Sequence, residues 1–147
     1  MPGALPVLDE PPTLKEYVAM RPAAGLSAKT PEQGAPALTN SWAWATVRDQ
    51  AGTLVAMGRV IGDGGWYFHI ADMATHPDHQ RRGHGRAVLE RLLERITAVA
   101  PGRPYVTLMG DAPGRPLYSS MGFTDAMPAS LGMVWEPGGG DRAAAAS

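Results

Sequence analysis

From residue 41 to residue 74 the chain has the pattern of β-strands: Trp42, Trp44 and Thr46 alternate with Ala43, Ala45 and Val47, and residues 66–74 are rich in aromatic and aliphatic side chains. Turns rich in Gly and Asp at residues 49–52 and 62–65 divide this region into three strands, over residues 41–47, 53–61 and 66–74, and the first two are predicted to form an antiparallel hairpin. After residue 83 the spacing becomes helical, and one face collects a run of apolar residues: Val88, Leu89, Leu92, Leu93, Ile96 and Val99.

Pro101 and Gly102 end this helix, and a short strand is predicted over residues 105–109. Because a helix connects that strand to the one over residues 66–74, the two are expected to be parallel neighbours. A short helix over residues 116–121 and a last strand over residues 131–135 complete the predicted order.

Two helices are predicted before the first strand. Thr13 is placed to cap a helix over residues 14–21. Thr30 followed by Pro31 begins a second helix, which the closely following Gly34 and Pro36 should keep short.

The predicted elements give an α/β (α+β) fold class, with a mixed sheet and flanking helices. Residues 1–12 are Pro-rich and are expected to be an irregular, flexible lead-in. A single domain is expected over residues 13–136, followed by a disordered tail over residues 137–147.

Composition narrows the classes of function. The chain has 147 residues, 44% of them hydrophobic, and a net charge of −1, which does not favour a nucleic-acid binder. The sequence has no apolar run long enough for a membrane span and no secretory signal, so we expect a cytoplasmic protein without a membrane partner.

The sequence gives little support for a metal site or for thiol chemistry. The absence of cysteine excludes disulfides, thiolate catalysis and cysteine zinc sites. His76, Asp78 and His79 lie close together, but their spacing matches no recurrent ligand pattern, so no metal is predicted.

Residues 80–86 (QRRGHGR) join a predicted strand to the amphipathic helix. Unpaired amides at the start of a helix attract anions, and the helix dipole adds to this attraction. Gly83 and Gly85 let an anion approach the backbone closely, and the loop carries three candidate phosphate partners: Arg81, Arg82 and Arg86. The loop is therefore predicted to bind a pyrophosphate.

Two common phosphate loops do not fit this segment. A Walker A loop would have Lys and then Ser or Thr after its last glycine, where this chain has Arg86 and Ala87. A dinucleotide-binding loop would have a third glycine at position 88, where this chain has Val88.

The segment Gln80-Arg81-Arg82-Gly83-His84-Gly85 resembles the Gln/Arg-x-x-Gly-x-Gly/Ala motif of the GNAT superfamily of N-acetyltransferases. Residues 69–77 resemble the fourth strand of that family and its exit, where a proline is common. Leu117-Tyr118-Ser119-Ser120-Met121-Gly122-Phe123 resembles the Tyr-x-x-x-Gly-Phe segment that follows the fifth strand. The motifs stand in the right order and spacing, and the resemblance covers about residues 40–136.

The resemblance implies a GNAT fold, a mostly antiparallel sheet with splayed fourth and fifth strands, and acetyl-CoA as cosubstrate. The backbone of Met73, Ala74 and Thr75 would pair with the pantetheine arm. Asp111 stands where many relatives place an Asn that contacts the cofactor. The pyrophosphate would be held by the loop residues Gln80, Arg81, Arg82, Gly83, His84, Gly85 and Arg86.

Most relatives transfer the acetyl group by direct attack of a neutral amine. Tyr118 matches the usual general acid, which protonates the leaving thiolate. The candidates for the general base are His69, Asp72 and a bound water, and the sequence leaves this choice open.

The acceptor is expected to be the primary amine of a small molecule. Trp42, Trp44, Trp66 and Tyr67 are candidates for its pocket, and an aromatic lining would suit an apolar or aromatic amine better than a polyanionic sugar. A homodimer is compatible with the resemblance. Two alternatives stay open: a CoA-binding module without turnover, and a nucleic-acid binder that uses the loop arginines, which the charge balance disfavours.

Overall fold

The computed structural model describes residues 4–138, which divide along the chain into two compact units between Leu108 and Met109. The first unit contains one sheet with strand order β1-β2-β3-β4-β5, in which β4 and β5 are parallel and the other pairs are antiparallel. This mixed sheet confirms the predicted fold class. The strands are β1 (Val7–Leu8), β2 (Ala43–Arg48), β3 (Leu54–Gly62), β4 (Tyr67–Thr75) and β5 (Tyr105–Leu108).

The described residues contain four α-helices. The first unit contains α1 (Leu14–Ala23), α2 (Pro31–Asn40) and α3 (His84–Val99), and a short 3-10 turn at Pro77–His79 precedes α3. The second unit contains α4 (Arg115–Ser120). No helix among residues 4–138 is long and apolar enough to cross a lipid bilayer.

Helix α2 is longer than the sequence predicts. It runs for ten residues through Pro36, whose ring removes one intrahelical hydrogen bond. Packing offsets this cost: Ala37 and Leu38 lie against the core, and a Cβ added at Gly34 would be 2.9 Å from Leu14 Cδ1 and 3.1 Å from Tyr17 Cδ2. The close contact with α1 therefore maintains α2 where local propensity would end it.

The two faces of the sheet bury different elements. One face packs on α1 through a cluster of buried residues: Tyr17, Met20, Trp44, Leu54, Met57 and Ala74. The other face is covered by α3, whose residues Val88, Leu89, Leu92 and Ile96 are completely buried. Val99, predicted on the same stripe, is 53% exposed because it is the last helical residue.

Strand β4 has a β-bulge near its middle. Met57 pairs with Ala74 and Arg59 pairs with Ala71, so two residues of β4, Asp72 and Met73, lie opposite Gly58 alone. Asp72 has a φ of 55°, a left-handed conformation that aspartate tolerates better than most residues.

The two parallel strands stop pairing directly before the bulge. Strand β5 pairs with β4 only from Tyr67 to Ile70, so the end of β4, including Met73 and Thr75, has no strand partner on that side among the described residues. The predicted splay of these two strands is confirmed.

Two predictions about the ends of the chain need correction. Residues 131–135 form no strand: Leu131 and Trp135 are 64% and 82% exposed. Alternating apolar residues favour a strand, but a strand also needs a hydrogen-bonding neighbour, and the alternation does not supply one. Residues 1–12 are not wholly irregular, because Val7–Leu8 pairs with β2. Of the predicted tail, residues 139–147 lie outside the described residues.

We predict that Gly58→Ala destabilises the protein by about 1–3 kcal/mol, because overpacking a filled core costs that much. The added Cβ would lie 2.5 Å from Met73 Sδ and 2.8 Å from Val88 Cγ1. The free energy of unfolding in urea measures the effect. Gly65→Ala is the control, since its Cβ would meet nothing closer than Asp63 Oδ1 at 3.5 Å. Equal stability of the two variants would contradict the tight approach of α3 to β3.

Candidate functional site

The loop before α3 has the backbone geometry of an anion site. Its N-cap, Gly83, has a φ of 85° and contributes no side-chain cap, so the amides of His84 and Gly85 have no side-chain acceptor within residues 4–138. Arg81 has a φ of 63°, and Gln80 Nε2 donates a hydrogen bond of 3.2 Å to the Thr75 carbonyl. A hydrogen bond thus joins the loop to the end of β4, and the loop leads into the N-terminus of α3.

The charge of this loop comes from its arginines. The side chains of Arg81, Arg82 and Arg86 are exposed, and Arg86 lies 4.0 Å from Glu90 across one helical turn. Burial, together with electrostatic interaction with His79 and Arg82, lowers the pKa of His84 below its ordinary value, which favours the neutral imidazole at neutral pH. Among residues 4–138, no group of three His, Asp or Glu side chains is arranged to hold a metal ion.

The end of β4 lies beside this loop and has no strand partner on the β5 side among the described residues. Because β5 stops pairing at Ile70, the edge that includes Met73, Ala74 and Thr75 can accept an extended amide chain as an added strand would.

His69 lies on β4, in the part that still pairs with β5. Its Nδ1 is 2.8 Å from Thr107 Oγ1, and Thr107 Oγ1 donates a hydrogen bond of 3.5 Å to the Phe68 carbonyl. Since the hydroxyl has a single proton, this arrangement favours Nδ1–H as the donor to Thr107, which leaves the lone pair on Nε2. Burial and then the charge of Arg59 lower the pKa of His69, so the ring is neutral at neutral pH.

Asp72, at the bulge, has a buried side chain with several donors. Tyr17 Oη donates to Oδ2 at 2.8 Å, Arg59 Nε donates to Oδ2 at 2.5 Å, and Arg21 Nη1 pairs with Oδ1. These donors come from α1 and β3, so the carboxylate fastens the helix to the bulge. This environment favours a structural role for Asp72 over the role of base, which stays untested.

The three predicted pocket tryptophans lie in different environments. Trp44 is 4% exposed and packs edge-on against Tyr17 at 5.8 Å, within the core. Trp42 is half-buried against Phe68. Trp66 is 59% exposed and lies against Tyr67 and Tyr105.

Tyr118 belongs to the second unit, on α4. Its ring fills the space beside Gly114, where an added Cβ would be 2.8 Å from Cε2, and packs against Phe123 at 6.2 Å. Burial and the negative charge of Asp111 raise the pKa of Tyr118, so the phenol stays protonated at neutral pH. The Asp111 carbonyl accepts the amides of Gly114 and Arg115 and thereby fixes the start of α4.

Sequence reasoning missed Arg21, Arg59 and Thr107. Arg59 does leave a signal, because it is the one charged residue in an otherwise apolar strand, LVAMGRVIG. The other two have no comparable signal, since their roles depend on which strand or helix lies beside them.

Comparison with known proteins agrees with this geometry. A family model described as "Acetyltransferase (GNAT) domain" matches residues 40–125. The fold is similar to that of a protein of unknown function from methicillin-resistant Staphylococcus aureus, described as a probable acetyltransferase, with 36% identity and a TM-score of 0.85 over 91% of this chain and 100% of the other.

Two more distant structures share the fold. A GNAT-family acetyltransferase from Streptococcus pneumoniae has 22% identity and a TM-score of 0.77 over 91% of this chain and 98% of the other. The ribosomal-protein-S18-alanine N-acetyltransferase of Escherichia coli has 21% identity and a TM-score of 0.69 over 84% of this chain and 80% of the other. No curated protein sequence matches the chain significantly.

We predict that Asp72→Asn lowers the free energy of unfolding by about 3–5 kcal/mol, the cost of breaking a buried ion pair. Asparagine keeps the shape and tolerates the left-handed backbone, so the change isolates the charge facing Arg21 and Arg59. Urea unfolding measures the effect. Asp78→Asn, at a carboxylate whose side chain is 83% exposed, is the control and should cost less than about 0.5 kcal/mol. A similarly small loss for Asp72→Asn would show that this carboxylate does not fasten α1.

Proposed function

Because this chain belongs to the GNAT family of acetyltransferases, we propose that it transfers the acetyl group of acetyl-CoA to the primary amine of a small molecule by direct attack. The observation that carries the proposal is the uncapped, arginine-bearing start of α3, directly after the strand edge that β5 leaves unpaired. The pyrophosphate of CoA needs an anion site such as the start of α3, and the amide chain attached to it needs an unpaired strand edge.

Two parts of the first unit would bind the cosubstrate: the start of α3 with the loop before it, and the end of β4. The amides of Gly83, His84 and Gly85 would bind the pyrophosphate, with Arg81, Arg82 and Arg86 as cationic partners. The backbone of Met73, Ala74 and Thr75 would pair with the pantetheine arm, and the Met73 amide would polarise the thioester carbonyl.

The chemical step exchanges one bond for another. The neutral amine attacks the thioester carbon, a C–N bond forms, and the C–S bond breaks with its electron pair leaving on sulfur. Nε2 of His69 takes the proton that the amine loses, and Tyr118 donates a proton to the thiolate. The environments suit these roles, because burial favours the neutral imidazole of His69 and the protonated phenol of Tyr118.

A CoA-binding module without turnover is the alternative. The two differ in their need for Tyr118, since a module that only binds CoA requires no general acid. Failure to acetylate any amine in a broad panel, despite tight CoA binding in calorimetry, would favour the module. A nucleic-acid binder would be retained only if the protein bound oligonucleotides at low salt.

We predict that Tyr118→Phe lowers kcat by about 10²- to 10⁴-fold, the usual contribution of a general acid, and leaves the affinity for CoA unchanged. CoA release, followed with a thiol reagent, gives kcat, and titration calorimetry gives the affinity. Tyr105→Phe is the matched control, because this change removes only the hydroxyl of a tyrosine that is 45% exposed. Full activity of Tyr118→Phe would remove this residue from the mechanism.

We predict that the acid limb of kcat/KM lies below pH 6.5, measured with a weakly basic arylamine that stays neutral over this range. A protonated His69 cannot accept a proton, and burial and Arg59 lower the pKa at which protonation occurs. His69→Gln should remove this limb and reduce kcat by about 10²- to 10⁴-fold.

The pair Thr107→Val and Thr107→Ser tests the tautomer of the same histidine. Valine removes the partner of Nδ1 and should lower kcat by about 10-fold, the value of one hydrogen bond, whereas serine should retain activity.

The pH profile of the His69→Gln variant tests the identity of the base. If this variant keeps the pH profile of the unmodified protein, the base is water or another group.

A further inference from the structure

The charges around Asp72 do not balance. Two guanidinium groups, of Arg21 and Arg59, share this one carboxylate, and the three side chains are 14%, 17% and 1% exposed. Neither arginine forms an ion pair with any other acidic side chain in the part of the chain that the structure describes. One unit of positive charge is therefore left on the α1 side of the sheet, where desolvation makes an unmatched charge expensive.

The excess donor belongs to Arg59. Arg21 uses all three of its nitrogens: Nη1 pairs with Asp72, Nε donates to the Ser27 carbonyl at 2.8 Å, and Nη2 donates to Ser27 Oγ at 3.1 Å. Arg59 donates from Nε to Asp72 and from Nη1 to Ser41 Oγ at 3.1 Å.

Nη2 of Arg59 has no hydrogen-bond partner among residues 4–138. Since no buried side-chain nitrogen of these residues lacks a partner, Nη2 is in contact with solvent. The guanidinium is held in place, with its carbon 5.9 Å from the ring centre of Trp44. The Arg59 guanidinium group therefore has a fixed position, and its Nη2 is available to donate a hydrogen bond to a ligand.

Arg59 lies on the same face of the sheet as the proposed base. Arg59 pairs with Ala71 across β3 and β4, and His69, two residues before Ala71, lies on the same face. The Cα atoms of diagonal neighbours of this kind are about 7–8 Å apart. The lowering of the His69 pKa by the charge of Arg59 is consistent with this proximity.

We propose that Arg59 binds a carboxylate that the acceptor carries close to its amine, so that the acceptor is an amino acid or a similar amino-carboxylic acid. The inference rests on the proposed function, in which His69 accepts the proton of the amine. One carbon joins the amine and the carboxylate of an amino acid, so two side chains that hold both groups must lie close together on one face of the sheet, as diagonal neighbours such as His69 and Arg59 do. A single excess positive charge matches a carboxylate better than a phosphate, which carries nearly two negative charges.

The test compares phenylalanine with its amide and with phenethylamine, which has no carbonyl group. We expect kcat/KM, referred to the concentration of the neutral amine of each acceptor, to be about 10- to 100-fold higher for the acid than for either analogue without a carboxylate, the value of a hydrogen bond to a charged group. Arg59→Gln should remove this preference and Arg59→Lys should reduce it. The ratio between acceptors is measured within one protein preparation, so a partly unfolded variant still gives a valid ratio.

Arg48→Gln is the control, because it breaks another arginine–carboxylate pair, with Glu16, and should leave the preference unchanged. Equal kcat/KM values on this basis for the acid and for the two analogues without a carboxylate would overturn the inference while the proposed function stands. Preference for an amino-sugar phosphate over all three would overturn it in favour of a phosphate site.

If no amine is acetylated, the proposed function fails, and calorimetry of phenylalanine binding to the CoA-loaded protein then decides the inference alone. Binding that Arg59→Gln abolishes would support the carboxylate site. Absence of binding to the unmodified protein would overturn it.

Discussion

The bulge in β4 and the carboxylate that stabilises it are the constraint on which the first unit depends. At the bulge, two residues of β4 face one residue of β3, and the backbone at Asp72 adopts a positive φ. Such a conformation persists when surrounding interactions determine it, and here Tyr17, Arg21 and Arg59 all donate to the Asp72 carboxylate. The same interactions join α1 to the sheet, and β4 leaves β5 directly before this point.

The separation of β4 from β5 links the fold to the chemistry. If the two strands stayed paired to the end of β4, the backbone groups of Met73 and Thr75 would be used within the sheet. Because they are not, a ligand can pair with this edge. The tight contact at Gly58 brings α3 against the same part of the sheet, so the start of α3 lies next to the open edge.

Burial sets the protonation states that the proposed mechanism needs. It favours the uncharged form of both His69 and Tyr118, so at the same pH the first is able to accept a proton and the second is able to donate one. Arg59 has two effects in this environment: its charge lowers the pKa of His69, and its remaining donor is available to an anion.

The sequence by itself determined the elements whose signals are local: the alternating strands, the Thr13 and Thr30 caps and the glycine-containing loop before the amphipathic α3. The motifs around Gly83 and Tyr118 were sufficient to identify the family. Tertiary structure alone decided the length of α2, which continues through Pro36 because it packs on α1, and the absence of a strand over residues 131–135, where no neighbour pairs with the chain. It also decided the partners of Asp72 and His69, because Arg21, Arg59 and Thr107 are distant from them along the chain and meet them only when helix and strands pack together.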